Sequence, residues 1–164
     1  MEPFDLVDDN DIVIGTTDKQ TAHRKKQPHR VAAVYVFNSS GELYVQVHKA
    51  SGGLLDHSVG GHVKKGESYE EAAVREAKEE LSIDQPLTKI TTFYSDEGEY
   101  IHMFGLFECR ANQNWAFKPN NEVEQIIPMK IETIFKMMQE EPQKFTGGFI
   151  NTMSEYLRQK NINI

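Results

Sequence analysis

The chain has a single cysteine among its 164 residues, so no disulfide can form within it. This scarcity is typical of proteins from a reducing compartment, and we expect a cytoplasmic location. Long apolar runs are also missing, which argues against a membrane-spanning helix. Basic residues are outnumbered by acidic ones, with 18 lysines and arginines against 25 aspartates and glutamates. The net charge is therefore −7. That balance disfavours nucleic acid and anionic membranes as partners.

The apolar pattern predicts one mixed α/β domain over residues 1–164, a length that suits a single core. The short apolar runs on either side of "DDND" predict two strands that form an N-terminal β-hairpin over residues 4–15. The runs "VAAVYVF" and "LYVQVH" flank "NSSGE" and predict a second hairpin. Further strands are predicted in "LTKITTFYS", "YIHMFGLFEC" and "EVEQIIPM", and helices in "IETIFKMMQEE" and over residues 149–160. Strands interspersed with helices predict a mixed sheet packed between helices.

The most informative stretch is "GGHVKKGESYEEAAVREAKEELSI", which occupies residues 60–83. We predict a helix from Ser68 to about Ser82 within it. Ser68 can cap this helix together with Glu71, which follows three residues later. The predicted buried stripe of the helix consists of Ala73, Val74, Ala77 and Leu81.

Three glutamates of this helix, Glu76, Glu79 and Glu80, have i, i+3, i+4 spacing and converge on the face beside the stripe. Like charges at this spacing repel each other, and a divalent cation would turn that cost into a binding site. Carboxylate oxygens suit Mg²⁺ or Mn²⁺. A solvated acidic face, stabilised by Arg75, is the competing interpretation. The glycines at 60 and 61 favour the cation site, because they let backbone approach a ligand.

This stretch resembles the Nudix box, whose pattern is G-x5-E-x7-R-E-U-x-E-E-x-G-U, with U an aliphatic residue. The matching positions are Gly61, Glu67, Arg75, Glu76, Glu79, Glu80 and Ile83. Two positions depart from the pattern, since Ala77 replaces a larger aliphatic residue and Ser82 replaces the last glycine. Seven matches at fixed spacing make the motif highly specific. The resemblance implies an α/β/α sandwich of Nudix type with a mixed β-sheet.

The resemblance also implies an activity, the hydrolysis of a diphosphate linkage in a small molecule made of a nucleoside diphosphate joined to another moiety, X. It implies Mg²⁺ or Mn²⁺ as the cofactor, with a metal-binding set of Gly61 (through its carbonyl), Glu67, Glu76, Glu79 and Glu80. Arg75 is expected to orient these glutamates. Glu76 or Glu80 is the predicted general base, and Glu122 or Glu124 is the candidate from outside the box.

Segments beyond the box, such as "HRVAAVYVFNSSGELYVQVH", resemble the subgroup that contains isopentenyl-diphosphate isomerase and its hydrolase-like relatives. That resemblance covers most of residues 4 to about 140. The isomerase holds a metal with three histidines and two glutamates, and the corresponding residues here are His23, His29, His62, Glu97 and Glu99. The isomerase also uses a cysteine, whose position falls near Gly60, whereas Cys109 lies elsewhere. The missing cysteine and the complete acidic box favour hydrolysis over isomerisation.

Two alternatives stay open, an isomerase of isoprenoid diphosphates and a noncatalytic domain that binds nucleotides or diphosphates. The five histidine and glutamate positions have a competing interpretation, in which the histidines at 23 and 29 are surface residues and the glutamates form a solvated turn. A homodimer is possible, although no feature of the sequence establishes one. The box does not identify X, because specificity lies in loops and strands outside it.

Overall fold

The computed structural model describes residues 1–96 and 99–164 of the chain. Within them, nine strands belong to one mixed sheet. The strands are β1 (Pro3–Val7), β2 (Val13–Asp18), β3 (His29–Phe37), β4 (Leu43–His48), β5 (Leu55–Asp56), β6 (Val59–His62), β7 (Thr88–Ser95), β8 (His102–Arg110) and β9 (Val123–Met129). The α-helices are α1 (Lys19–Lys25), α2 (Tyr69–Leu81), α3 (Ile131–Glu140) and α4 (Gly147–Gln159). No helix in the described part of the chain is long and apolar enough to cross a membrane.

Strand β3 is the centre of the fold, because it has neighbours on both edges and helices on both faces. It pairs in parallel with β8 and antiparallel with β6. Its even-numbered side chains, such as Val34, share one core with α2, and odd-numbered ones, such as Tyr35, share the other core with α3 and α4. A strand covered on both faces has a continuous apolar sequence, as "VAAVYVF" does. The predicted α/β/α sandwich is therefore confirmed.

The remaining strands extend the sheet from this centre. Strand β4 pairs antiparallel with both β5 and β9, and β7 pairs antiparallel with β8. The N-terminal hairpin of β1 and β2 spans residues 3–18, so it is longer than the predicted 4–15. Helix α4 begins at Gly147, two residues before the predicted start, because Thr146 accepts a hydrogen bond from the backbone N–H of Phe149 and caps it.

Helix α2 begins as predicted with a reciprocal cap between Ser68 and Glu71. Its buried face differs from the predicted stripe at one position, because Val74 is 55% exposed. Glu80, by contrast, is 3% exposed. The buried face of the helix is therefore rotated towards the glutamates. Glu80 packs against the sheet, whereas Val74, which was predicted to be buried, faces solvent.

The end of α2 generates a stability prediction. Ser82 terminates the helix in the left-handed conformation, with φ of 53°. A side chain in that conformation costs about 1–2 kcal/mol, and glycine removes the cost while adding some entropy to the unfolded chain. We expect Ser82→Gly to stabilise the protein by about 0.5–1 kcal/mol in urea unfolding. Ser82→Ala keeps the strain and serves as the control, so an equal gain from alanine would contradict this account.

Candidate active site

Arg75 of α2 connects the acidic groups that the sequence places in the box. Its Nε and Nη2 donate hydrogen bonds of 2.8 and 2.9 Å to the two carboxylate oxygens of Glu67, and its Nη1 donates one of 2.6 Å to Glu76. A carboxylate oxygen of Glu79 lies 3.6 Å from the same Nη1. Bidentate pairing with Glu67 holds the guanidinium in one orientation. Arg75 therefore positions three carboxylates at once.

The pKa values of Glu67 and Glu76, the two partly buried partners of Arg75, shift in opposite directions. Hydrogen bonds from Arg75 lower the pKa of Glu67, which therefore remains charged. Burial raises the pKa of Glu76, and the hydrogen bond and charge of Arg75 oppose that rise only in part. The hydrogen bonds to Glu67 raise the pKa of Arg75 in turn. The guanidinium is a permanent cation, so the acidic cluster keeps one fixed positive charge at its centre.

Gly61 on β6 makes room for Glu76. A Cβ atom added to Gly61 would lie 2.1 Å from the carboxyl carbon of Glu76, which is far inside contact distance. The carboxylate therefore rests directly against the backbone of β6. Arg75 also reaches this strand, because its Nη2 donates a hydrogen bond of 3.1 Å to the carbonyl oxygen of His62. Helix α2 and strand β6 therefore contact each other through polar groups, whereas helices usually pack on sheets through apolar side chains.

Glu80 is the most buried carboxylate of the box. Gln46 on β4 donates a hydrogen bond of 2.9 Å to it, and the backbone N–H of Gly60 donates one of 3.3 Å. Burial raises the pKa of Glu80 to about 8, the hydrogen bond from Gln46 opposes the rise, and the charge of Glu76 adds to it. Gln46 also donates to the carbonyl of Ser58 at 2.8 Å, so its amide is held in place.

The donor set fits a hard divalent cation. Oxygen ligands with spare coordination positions suit Mg²⁺ or Mn²⁺, and the box offers carboxylates next to a glycine backbone that no Cβ shields. The predicted ligands at Glu67, Glu76 and Glu79 are joined by Arg75, while Glu80 approaches from the Gln46 side. The roles assigned to these residues stay predictions.

The two candidate bases outside the box differ in position. Glu122, in the loop before β9, belongs to a group with Glu80 and His48 in which one ligand atom of each lies within 4.8 Å of the others. Glu124 is exposed on β9 and is not a member of that group. Glu122 is therefore the stronger outside candidate. His48 and Gln46 were not singled out from the sequence, although a glutamine inside the apolar strand "LYVQVH" is a signal that could have identified the latter.

A cavity of about 570 Å³ opens beside the box. Its lining includes Gln46, Gly60, Gly61, His62, Phe104 and Asn151. One wall is stiffened by Asp56 and His57, whose Oδ1 and Nδ1 are 2.7 Å apart, and the other ring nitrogen of His57 lies 2.7 Å from Thr152 Oγ1. Thr146 donates a further hydrogen bond of 2.9 Å to Asp56. The cavity is large enough for a small molecule, and the box lies at its edge.

The three histidines of the isomerase-like set lie together, and the structure corrects the surface interpretation. His29 is fully buried, and its ring stacks on that of His62 with centroids 5.1 Å apart. His23 lies 5.2 Å from His29. A fourth histidine, His102, joins them at 4.7 Å from His29. No local pattern in the sequence indicates His102 as a member, because it meets His29 through the parallel pairing of β8 with β3.

Burial lowers the pKa of each of these imidazoles. The pKa falls to about 4 for His29, about 2 for His62 and about 3 for His102, with the neighbouring imidazoles lowering each of them further. The pKa of His23 is lowered by burial and by the charge of Lys19. The cluster is therefore neutral near pH 7, which is the form that binds metals. Of the two glutamates in the isomerase-like set, Glu99 is exposed, and Glu97 lies outside the described residues.

Cys109 lies on β8 in the core beneath α2, where burial raises the pKa of its thiol to about 11. It does not line the cavity described above, whereas Gly60 does. A buried and protonated thiol is a poor acid and nucleophile, so Cys109 lacks the properties of a catalytic cysteine.

The family model described as the NUDIX domain matches residues 27–147. The chain belongs to the Nudix family. An uncharacterized Nudix hydrolase of Yersinia pestis is 32% identical over 98% of this chain and 88% of its own length. An isopentenyl-diphosphate Delta-isomerase of Pectobacterium atrosepticum is also 32% identical, over 88% of this chain and 85% of its own. The crystal structure of a Deinococcus radiodurans protein superposes with a TM-score of 0.78 and 27% identity, covering 94% of this chain and 98% of that one.

Gly61, which opens the Nudix box, and Gly60 directly before it make a matched pair for mutation. Gly61→Ala puts a Cβ into the space of Glu76, and we expect affinity for Mn²⁺ to fall by more than about tenfold, because misplaced support of a ligand typically costs 10–100-fold. Gly60→Ala is the control, since its Cβ would be 3.5 Å from His57 Nδ1, an ordinary contact. The Mn²⁺ affinity of each variant is obtained by measuring the concentration of free Mn²⁺ with electron paramagnetic resonance. Equal affinities in the two variants would contradict the close approach of Glu76.

The Asp56–His57 pair generates a pH prediction. Burial raises the pKa of Asp56, but the charge and hydrogen bonds of His57 outweigh it and leave the pKa below the ordinary 3.8. A lowered folded-state pKa gives stability that is present above about pH 4 and is lost as pH falls through the folded value. We expect Asp56→Asn to lower the unfolding free energy at pH 7 by about 1–3 kcal/mol. The difference from wild type should shrink below pH 4, and a difference independent of pH would exclude this origin.

Proposed function

We propose that this Nudix domain hydrolyses a diphosphate linkage in a nucleoside diphosphate joined to a moiety X, with Mg²⁺ or Mn²⁺ as cofactor. Water attacks one phosphorus of the linkage, and the bond from that phosphorus to the bridging oxygen breaks. The products are a nucleoside monophosphate and a phosphorylated X, which is pyrophosphate when X is itself phosphate. The reaction needs a site that tolerates the dense negative charge of the substrate and still delivers a nucleophile.

The observation that carries this proposal is the arrangement of carboxylates around Arg75, with Glu76 resting against Gly61, which lines the cavity. A noncatalytic binder has no need of every acidic position in the box, yet all are present and three of them are joined by Arg75. Glu67, Glu76 and Glu79 contact one guanidinium, and Glu76 rests against Gly61. A divalent cation bound there neutralises phosphate charge and activates water. The same residues would hold that cation in the orientation that Arg75 sets.

Glu80 is the base that the surroundings favour. It is held by Gln46 at the edge of the cavity, and its pKa of about 8 lies close to physiological pH. A base whose pKa is near the working pH is efficient at accepting a proton from water. Glu122 lies close enough to Glu80 to share or replace this role, and we retain it as the outside candidate. Glu76 is hydrogen-bonded to Arg75, which makes it a weaker base.

The alternative of isoprenoid diphosphate isomerisation has two observations in its favour. Some relatives are named isopentenyl-diphosphate Delta-isomerase, and the three histidines of the isomerase-like set lie together. Two features weigh against it. Gly60 stands at the cavity where the resemblance places the catalytic cysteine, and Cys109 is buried away from the cavity. The isomerisation of the family requires that cysteine, so hydrolysis is the better account.

A substrate panel with a matched pair of variants tests the proposal. The wild-type protein would be incubated with Mg²⁺ or Mn²⁺ and pools of nucleoside di- and triphosphates, nucleotide sugars, dinucleotides and isopentenyl diphosphate. Products would be identified by mass spectrometry and ³¹P NMR. We expect cleavage of one class, with Glu80→Gln lowering kcat by at least about 100-fold because general base catalysis contributes 10²–10⁴. Glu132→Gln, which changes an exposed glutamate of α3 outside the site, should leave the rate within twofold of wild type.

Each outcome has a distinct meaning. Cleavage that is lost in Glu80→Gln supports the hydrolase and identifies X. Equal loss in Glu132→Gln would point to a general folding defect, and equal cleavage by every variant would point to a contaminating enzyme. If Glu80→Gln retains activity and Glu122→Gln loses it, the general base is Glu122. An intact diphosphate with a shifted double bond would replace hydrolysis by isomerisation. Binding without turnover across all pools and metals would favour the noncatalytic domain.

A further inference from the structure

The loop between β8 and β9, residues 111–122, contacts the C-terminus of the box helix α2. Two of its side chains donate hydrogen bonds to carbonyl oxygens in the last turn of that helix. Trp115 Nε1 donates one of 2.8 Å to Leu81, and Asn120 Nδ2 donates one of 2.7 Å to Glu80. Carbonyls in the last turn lack partners inside the helix, so the loop satisfies acceptors that the helix leaves open. The loop is thereby attached to the residue that we propose as the general base.

The other end of the Asn120 amide holds the backbone next to Glu122. Its Oδ1 accepts hydrogen bonds of 2.9 Å from the backbone N–H of Glu122 and, at the same distance, from that of Val123. These contacts fix the orientation of the amide, because the reverse orientation would set its NH₂ against two N–H donors and its oxygen against a carbonyl. One side chain therefore joins the backbone of Glu80 to the backbone of Glu122.

Lys49 attaches the same loop to the sheet. Its backbone N–H donates a hydrogen bond of 3.1 Å to the carbonyl oxygen of Glu122, and its Nζ donates one of 2.6 Å to the carbonyl oxygen of Asn120. Lys49 directly follows β4, and Gln46 on that strand holds the carboxylate of Glu80. The loop is thus attached to β4 through Lys49 and to α2 through Asn120. The contact made by Asn120 sets the distance between Glu122 and the helix.

The carboxylates of Glu80 and Glu122 are close enough to repel each other. One oxygen of each, with one ring nitrogen of His48, belongs to a group whose atoms all lie within 4.8 Å of one another. Glu122 is exposed, so an unrestrained Glu122 would move away from Glu80 and into water to relieve the repulsion. The backbone contacts of Asn120 restrain this movement. The pair of carboxylates is therefore held together by an amide and not by attraction between the carboxylates.

We propose that Asn120 is a positioning residue, which places the Glu122 carboxylate beside that of Glu80 by linking the two backbones. Asn120 does not line the cavity described above, so it acts through Glu122 and does not touch the substrate. Its effect on the rate rests on the proposed hydrolysis, in which Glu80 is the base and Glu122 shares or replaces that role. A displacement of about 1 Å in a reacting group costs up to about 100-fold in rate, so a contact away from the chemistry controls it.

Three substitutions separate the link from a simple role in the turn. Asn120→Asp keeps an oxygen that accepts from the two N–H groups but loses the donor to Glu80, and Asn120→Ala loses both. Trp115→Phe is the matched control, because it removes the hydrogen bond to Leu81 and leaves Asn120 in place. We expect both Asn120 variants to lower kcat at least about tenfold with KM within about threefold, and the control to stay within about twofold. Wild-type kcat in Asn120→Asp would overturn the proposal, because the turn alone would then be sufficient.

A double-mutant cycle decides whether Asn120 acts through Glu122. In a protein that already carries Glu122→Gln, we expect Asn120→Asp to lower kcat by less than about twofold further, because residues that act as a unit do not have additive effects. Losses that multiply would show that Asn120 acts by another route and would overturn the proposal. The same conclusion would follow if Glu122→Gln kept full activity while Asn120→Asp lost it. Circular dichroism and thermal unfolding check that each variant folds.

Hydrogen exchange measured by NMR tests the link without any substrate. Asn120→Asp frees the loop from α2, so we expect the backbone amides of Glu122 and Val123 to exchange at least about tenfold faster than in wild type, because exchange reports local opening. Trp115→Phe should change their exchange by less than about threefold. Wild-type exchange in Asn120→Asp would overturn the proposal. A protein that shows the faster exchange but hydrolyses no diphosphate would uphold the link while refuting the proposed function.

Discussion

The cost of burying acidic groups between α2 and the sheet is the constraint on which the rest of this structure depends. A carboxylate taken out of water is stable only when charges or hydrogen bonds replace its hydration. Arg75 does this for Glu67 and Glu76, and Gln46 with the backbone of Gly60 does it for Glu80. The compensation for Glu80 is incomplete, as its raised pKa indicates. A divalent cation would complete it, so stability and cation binding are linked at this contact.

Features of the fold that depend on neighbouring residues could be predicted from the sequence. The cap of α2 needs only Ser68 and Glu71, and the burial of β3 follows from its apolar run. The exposure of Val74 and the burial of Glu80 could not be predicted in this way. An apolar stripe assumes that the helix packs through hydrophobic groups, and here a glycine on β6 admits a carboxylate instead. A polar contact can therefore rotate a helix away from its most apolar arc.

The parts of the candidate site that escaped sequence reasoning are those joined by pairing between distant strands. His102 faces His29 because β8 runs parallel to β3 in a particular register, and 72 residues separate their positions in the chain. Gln46 reaches Glu80 because β4 lies next to this part of the sheet. Neither relation leaves a periodic signal in the sequence. The box glutamates, by contrast, lie within one helix and its preceding loop, so their spacing carried the information.

The close approach of Glu76 to Gly61 also constrains how this protein can change. A side chain at position 61 and a glutamate at position 76 exclude each other, since both would occupy the same volume. Single substitutions at position 61 therefore meet a steric barrier that a simultaneous shortening at position 76 would remove. Position 60 has no such barrier, because a Cβ there has ordinary clearance. The two adjacent glycines therefore differ in how readily they can be substituted. A mutational library that varies positions 61 and 76 together would contain folded variants that a library varying each position separately would not.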